Sequence, residues 1–105
     1  MSPDLPPPVA RFFAADKAAS LRDCFAPDAT VRDEGRSMAG LPAIEAWHAE
    51  AQAKYRHTHE PLRVQARDGR LVVTSLVTGQ FPGSPAEIDF AFRLRDGLIV
   101  DLEAA

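Results

Sequence analysis

The chain has 105 residues, 46% hydrophobic and 26% charged, with a formal net charge of −3 at pH 7. That length fits one domain, spanning 1–105 with residues 1–5 as a tail, and it buries a single modest core. The composition excludes a disordered chain, and scattered basic residues in an acidic background argue against a nucleic-acid partner. Cys24 is the one cysteine, so a disulfide framework within the chain is excluded, and a buried structural thiol is expected there. No apolar run approaches the roughly 20 residues that cross a bilayer, and no secretory leader is evident. The expected setting is the cytoplasm, with no membrane partner.

Pro6–Pro8 open a first helix, because proline is tolerated in the first turn. Val9, Phe12, Phe13 and Asp16 follow at helical spacing and place two large rings on a buried face. A second short helix is expected from a Ser20 cap through Leu21, Cys24 and Phe25, ending at Ala26-Pro27-Asp28. Ala29–Glu34 alternates as a strand, with Ala29, Val31 and Asp33 on one face. Gly35–Gly40 reads as a loop. Leu41–Tyr55 is the longest helix, with Ile44, Trp47, His48, Ala51 and Tyr55 along one stripe.

The second half is a meander of four strands near 58–67, 70–79, 86–95 and 98–104. Asp68-Gly69 and Asp96-Gly97 are hairpin turns that need positive φ at both central positions, and Pro82-Gly83 suits a type II turn. These turns set a register. Val64 faces Val73 and Glu60 faces Val77; Val77 faces Ile88 and Ser75 faces Phe90; Leu94 faces Ile99 and Phe92 faces Asp101. One face then carries Leu62, Val64, Leu71, Val73, Val77, Ile88, Phe90, Phe92, Leu94 and Ile99, interrupted by Glu60, Ser75 and Asp101. A bulge would shift this register. The other face is mixed, with His59, Arg63, Val72, Thr74, Leu76, Asp89, Arg93, Val100 and Leu102. Its apolar residues point to a homodimer through the outer face of the sheet.

The fold class is therefore α+β, with N-terminal helices packed in a curved antiparallel sheet. Two or three helices cannot seal the concave side of such a sheet, and the gap is a pocket for a small apolar molecule. Its expected lining is Phe12, Phe13, Phe25, Val31, Asp33, Trp47, Tyr55, Glu60, Phe90, Phe92 and Asp101. Trp47 and Tyr55 read equally well as core. Asp33 shares a face with Val31, and a carboxylate in an apolar pocket is suited to general base work; the plainer reading is a half-solvated strand end. Glu60 and Asp101 are inward acids by register, or members of ion pairs. His48 stands at the pocket edge or in the core. His57 and His59 share the outer, mixed face, away from Asp33, so no metal site is expected, and no cofactor.

Three stretches together resemble the nuclear transport factor 2-like superfamily: Phe25-Ala-Pro-Asp-Ala-Thr-Val-Arg-Asp33, Gly40-Leu-Pro-Ala-Ile-Glu-Ala-Trp47, and Phe92-Arg-Leu-Arg-Asp-Gly-Leu-Ile-Val-Asp-Leu102. Glu60-Pro-Leu with Gly79-Gln-Phe-Pro-Gly-Ser-Pro85 is similar to its SnoaL-like, polyketide cyclase-like subgroup. The resemblance implies a cone-shaped roll, usually dimeric through its sheet, with a pocket inside. Its members span isomerases, cyclases, hydrolases and non-catalytic binding domains, so fold alone does not choose a reaction. The general base of ketosteroid isomerase matches Asp33. The tyrosine and carboxylic acid of that enzyme's oxyanion hole fall on Phe12 and Phe90, which donate nothing. Three functions are compatible with this pattern. One is an enzyme using Asp33, with Glu60 or His48, for isomerisation, cyclisation or hydrolysis. The others are a ligand-binding protein and a dimerising accessory domain.

Overall fold

A computed structural model describes residues 4–15 and 21–104. In chain order the elements are α1 (Pro7–Ala14), β1 (Phe25–Asp33), β2 (Arg36–Ala39), α2 (Leu41–Tyr55), β3 (Thr58–Arg67), β4 (Arg70–Thr78), β5 (Ala86–Arg95) and β6 (Leu98–Ala104). The strands form one open sheet in the order β2-β1-β6-β5-β4-β3, antiparallel except where β1 runs parallel to β6. The α+β class and the helices-on-sheet arrangement follow the sequence reading. Among the described residues no helix is long and apolar enough to cross a membrane.

α1 starts where expected. Pro7 and Pro8 occupy its first turn, and the Val9 and Ala10 amides both donate to the Pro6 carbonyl at 3.0 Å. Val9, Phe12 and Phe13 form its buried face. Asp16 and Ser20 lie outside the described residues. The expected second helix reduces to a single turn over Leu21–Cys24, closed by Cys24 and Phe25 amides donating to the Leu21 carbonyl. Phe25 instead opens β1, because its backbone is taken into the sheet against Ile99.

The expected loop at 35–40 is also corrected. Glu34 and Gly35 both take positive φ, which makes a tight hairpin, and β2 pairs back on β1 with Val31 opposite Met38. Gly40 then turns the chain into α2 and donates its amide to the Ala29 carbonyl at 2.8 Å. Ile44, Trp47 and His48 bury the first half of the α2 stripe. Ala51 and Tyr55, on the same stripe, are only half-buried.

The meander forms, with both Asp-Gly turns at positive φ. Its register departs from expectation in three places. β4 and β5 pair with Ser75 opposite Ile88 and Val73 opposite Phe90, two residues from the expected pairing. A longer connection than a two-residue turn joins them, and an even shift leaves every side chain on its expected face. In β3 the pairing slips between Pro61 and Arg63, so His59 faces Val77 and Glu60 faces Leu76. Leu62 is the extra residue of a bulge beside Pro61, which has no amide hydrogen to complete the ladder. In β6 the pairing slips again, so Arg93 faces Asp101 and Phe92 faces Leu102.

The two odd slips exchange faces. His59 and Leu102 turn inward, while Glu60 is exposed and Asp101 joins the outer face. There Asp101 accepts from Thr30 at 2.7 Å and from Arg32 at 3.0 Å. Arg70 with Glu103 and Arg63 with Glu87 pair at 3.1 and 2.9 Å. The outer face thus loses Leu102 and gains a charge network around Asp101.

Candidate functional site

The inner face is filled at one end and open at the other. Phe25, Leu21, Val9, Ile44, Ile99, Leu102 and Phe92 are fully enclosed. Beyond them the second half of α2, the start of β3 and the β4–β5 connection leave a cleft of about 720 Å³. Its walls include Phe12, Trp47, Tyr55, Phe81, Ile88 and Phe90, and its polar groups include Asp33, Glu34, His48, His57 and His59.

Asp33 is held by β1 parity beside the α2 stripe. The Trp47 indole N–H donates to its Oδ2 at 3.0 Å, which fixes the carboxylate's orientation. The Trp47 ring lies parallel to Phe12 at 6.3 Å between centroids, so the donor is itself braced. Burial pushes the Asp33 carboxyl above its ordinary pKa. The Trp47 hydrogen bond opposes that shift, Glu34 adds to it, and Arg36 and His57 oppose it. An acid with an orienting donor and a raised pKa is a stronger base than an ordinary carboxylate and can exchange a proton with a bound molecule.

The histidines are brought to this side by the β3 bulge. The His57 and His59 rings meet edge to face with centroids 4.8 Å apart. Burial lowers both pKa values, and that of His59 reaches about 4, helped by the neighbouring His57 and His48. Asp33 pulls His57 the other way. Both rings are thus neutral at pH 7, and each has a buried Nδ1 with no hydrogen-bond partner. Gly79 allows this packing. A Cβ there would lie 2.7 Å from the His57 Cβ and 2.8 Å from the Tyr55 carbonyl oxygen, so only glycine lets β4 pass the end of α2.

Of the residues proposed from sequence, Phe12, Asp33, Trp47, His48, Tyr55 and Phe90 border the cleft together. Phe13, Phe25, Val31 and Phe92 are packed in the core instead. Glu60 and Asp101, expected to face inward, stand across the sheet for the reason given above. His57 and His59, expected outside, border the cleft, as do Glu34 and Phe81. Pro61 within a strand is the sequence signal that could have moved His59 inward. Among the described residues no group of three or more His, Cys, Asp or Glu is arranged to hold a metal ion.

The model of the SnoaL-like domain family matches residues 9–102. A solved protein from Sinorhizobium meliloti, provisionally assigned as a polyketide cyclase, is 37% identical, with a TM-score of 0.88 over 97% of this chain and 96% of that one. A Catenulispora acidiphila protein with a ketosteroid isomerase-like fold, solved with trimethylamine, is 20% identical, with a TM-score of 0.78 over 100% of this chain and 86% of that one. A SnoaL-like protein from Jannaschia is also 20% identical, with a TM-score of 0.76 over 94% of this chain and 82% of that one. At that identity the last two show a common fold. No curated protein matches the chain.

Proposed function

The chain belongs to the SnoaL-like domain family, and from that premise we propose that its cleft binds a small, largely apolar molecule on which Asp33 acts as general acid and base. The observation that carries this reading is the Trp47 N–H bond to a half-buried Asp33 carboxylate at the wall of the cleft. As base, the carboxylate takes a proton from a carbon or from a water. The electron pair released goes to the substrate's own carbonyl or forms the new bond to carbon or oxygen, and the Asp33 carboxyl then returns the proton. Isomerisation, cyclisation and hydrolysis share this pattern. The Sinorhizobium relative's provisional assignment favours cyclisation among them.

A second reading is a binding protein without turnover. Phe12 and Phe90 favour it, since both rings border the cleft and neither offers a donor to a developing oxyanion. Such a donor is worth about 2.7–4 kcal/mol in the transition state.

Asp33→Asn separates the two readings. With a panel of lactones, epoxides and ring ketones, turnover should fall by about 10²–10⁴-fold while ligands still quench Trp47 fluorescence. Unchanged turnover in the variant would exclude Asp33 as the acid–base group. Binding without turnover in the unsubstituted protein would leave the second reading.

A further inference from the structure

We propose that His59 is the polar anchor of the cleft, a neutral imidazole that hydrogen-bonds the carbonyl or hydroxyl oxygen of an otherwise apolar ligand. This rests on the proposed ligand-binding role of the cleft and names the class of molecule that it takes.

His59 borders the cleft, and its ring is walled by Phe13 at 5.4 Å, Phe90 at 5.5 Å and Phe12 at 6.4 Å between centroids. The three phenyl rings around it donate nothing, so a polar atom seated among them meets His59 or the adjacent His57. Its Nδ1 is buried without a partner. An unmet buried polar group is unfavourable, and native structures keep few of them without a reason. Because that atom has no open surface, a ligand oxygen in the cleft meets it only after the imidazole turns toward the opening.

The position also complements Asp33. His57 stands against the His59 ring, and both border the cleft that Asp33 also lines. A neutral imidazole offers one donor and one acceptor, so it suits a carbonyl or hydroxyl and offers no charge to a carboxylate or an amine. The anchor thus occupies the role that Phe12 and Phe90 leave vacant, from a different strand.

Tetralin and 2-tetralone, the same bicyclic frame without and with a carbonyl, test this through quenching of Trp47, the chain's single tryptophan. His59→Phe should cut the tetralone-to-tetralin affinity ratio by roughly fivefold, and His59→Gln should retain most of it. Where His59→Phe fails to fold, imidazole ¹⁵N shifts in the unsubstituted protein decide. The His59 nitrogens should move with tetralone and stay with tetralin. A ratio unchanged in both variants, or nitrogens unmoved by bound tetralone, overturns the anchor while leaving the cleft as a binding site. If neither compound binds, the binding reading fails and the anchor falls with it.

Discussion

The closed and open ends of the inner face use the same strands to different purposes. At the closed end, the Leu21–Cys24 turn, the first half of α2 and β6 enclose Phe25, Ile44, Ile99 and Leu102 completely. At the open end, Ala51, Tyr55, Phe81 and Ile88 are half-exposed around a cleft, and the last turn of α2 is tied to the β4–β5 connection by the Gln80 amide donating to the Tyr55 carbonyl. Phe12 belongs to both, packing edge-on to Phe25 at 5.7 Å and parallel to Trp47 at 6.3 Å. Close packing is therefore concentrated at one end and the polar groups of the cleft at the other. A small domain can keep unmet polar groups beside its cleft only because the opposite end is filled.

The largest expected effect breaks the closed end. Phe25 is 1% exposed and touches the ring cluster through Phe12. Phe25→Ala should destabilise the chain by about 3–5 kcal/mol, from lost burial and the cavity left behind. Phe81→Ala at the mouth should change stability by less than about 1 kcal/mol. Urea unfolding of both variants measures the contrast. Equal losses would mean that the cleft is as structural as the core.

A smaller effect lies at the open end and depends on pH. His59 titrates at about 4 in the folded chain, against about 6.5 when unfolded. Between those values the unfolded chain binds more protons, so stability is full above about pH 6.5 and is lost as pH falls toward 4. His57 acts in the same direction. Asp33, raised by burial, opposes them in the lower part of this window, because there the folded state holds its proton more tightly. The net loss from His59 is up to about 3 kcal/mol. Unfolding measured at pH 7 and pH 4.5 should show it, and His59→Gln should flatten the curve. A flat curve in the unsubstituted chain would place His59 in water.

The same division governs what the sequence could show. Asp68-Gly69 and Asp96-Gly97 fix their hairpins through local φ requirements, and the 3.6-residue stripe of 41–55 fixes α2. The parity of Ala29, Val31 and Asp33 places the acid correctly. All of these are local signals. The faces of His59, Glu60, Asp101 and Leu102 are not local, because each lies beyond a bulge and a single extra residue reverses them. Pro61 hints at the first bulge. Nothing local marks the second, which arises where β6 must pair with β5 on one side and with β1 on the other. The turn at Leu21–Cys24 was legible as apolar spacing, yet its pairing with distant Ile99 decides against a helix. Thus the placing of Asp33 and Trp47 at the cleft was readable, and that of the histidine pair was not.

The smallest effect probes the boundary between the two ends. Ser75 is 0% exposed on the inner face, between Pro61 of β3 and Ile88 of β5, and its hydroxyl has no partner. Ser75 does not border the cleft, so no ligand can reach its oxygen. Removing an unmet buried hydroxyl recovers its desolvation penalty and sacrifices one small atom of packing. Ser75→Ala should therefore be neutral or stabilise the chain by about 1 kcal/mol, seen as a higher urea midpoint at unchanged slope. A clear destabilisation would mean that the hydroxyl is met by a buried water, and that the polar character of the open end extends one strand pair deeper into the fold.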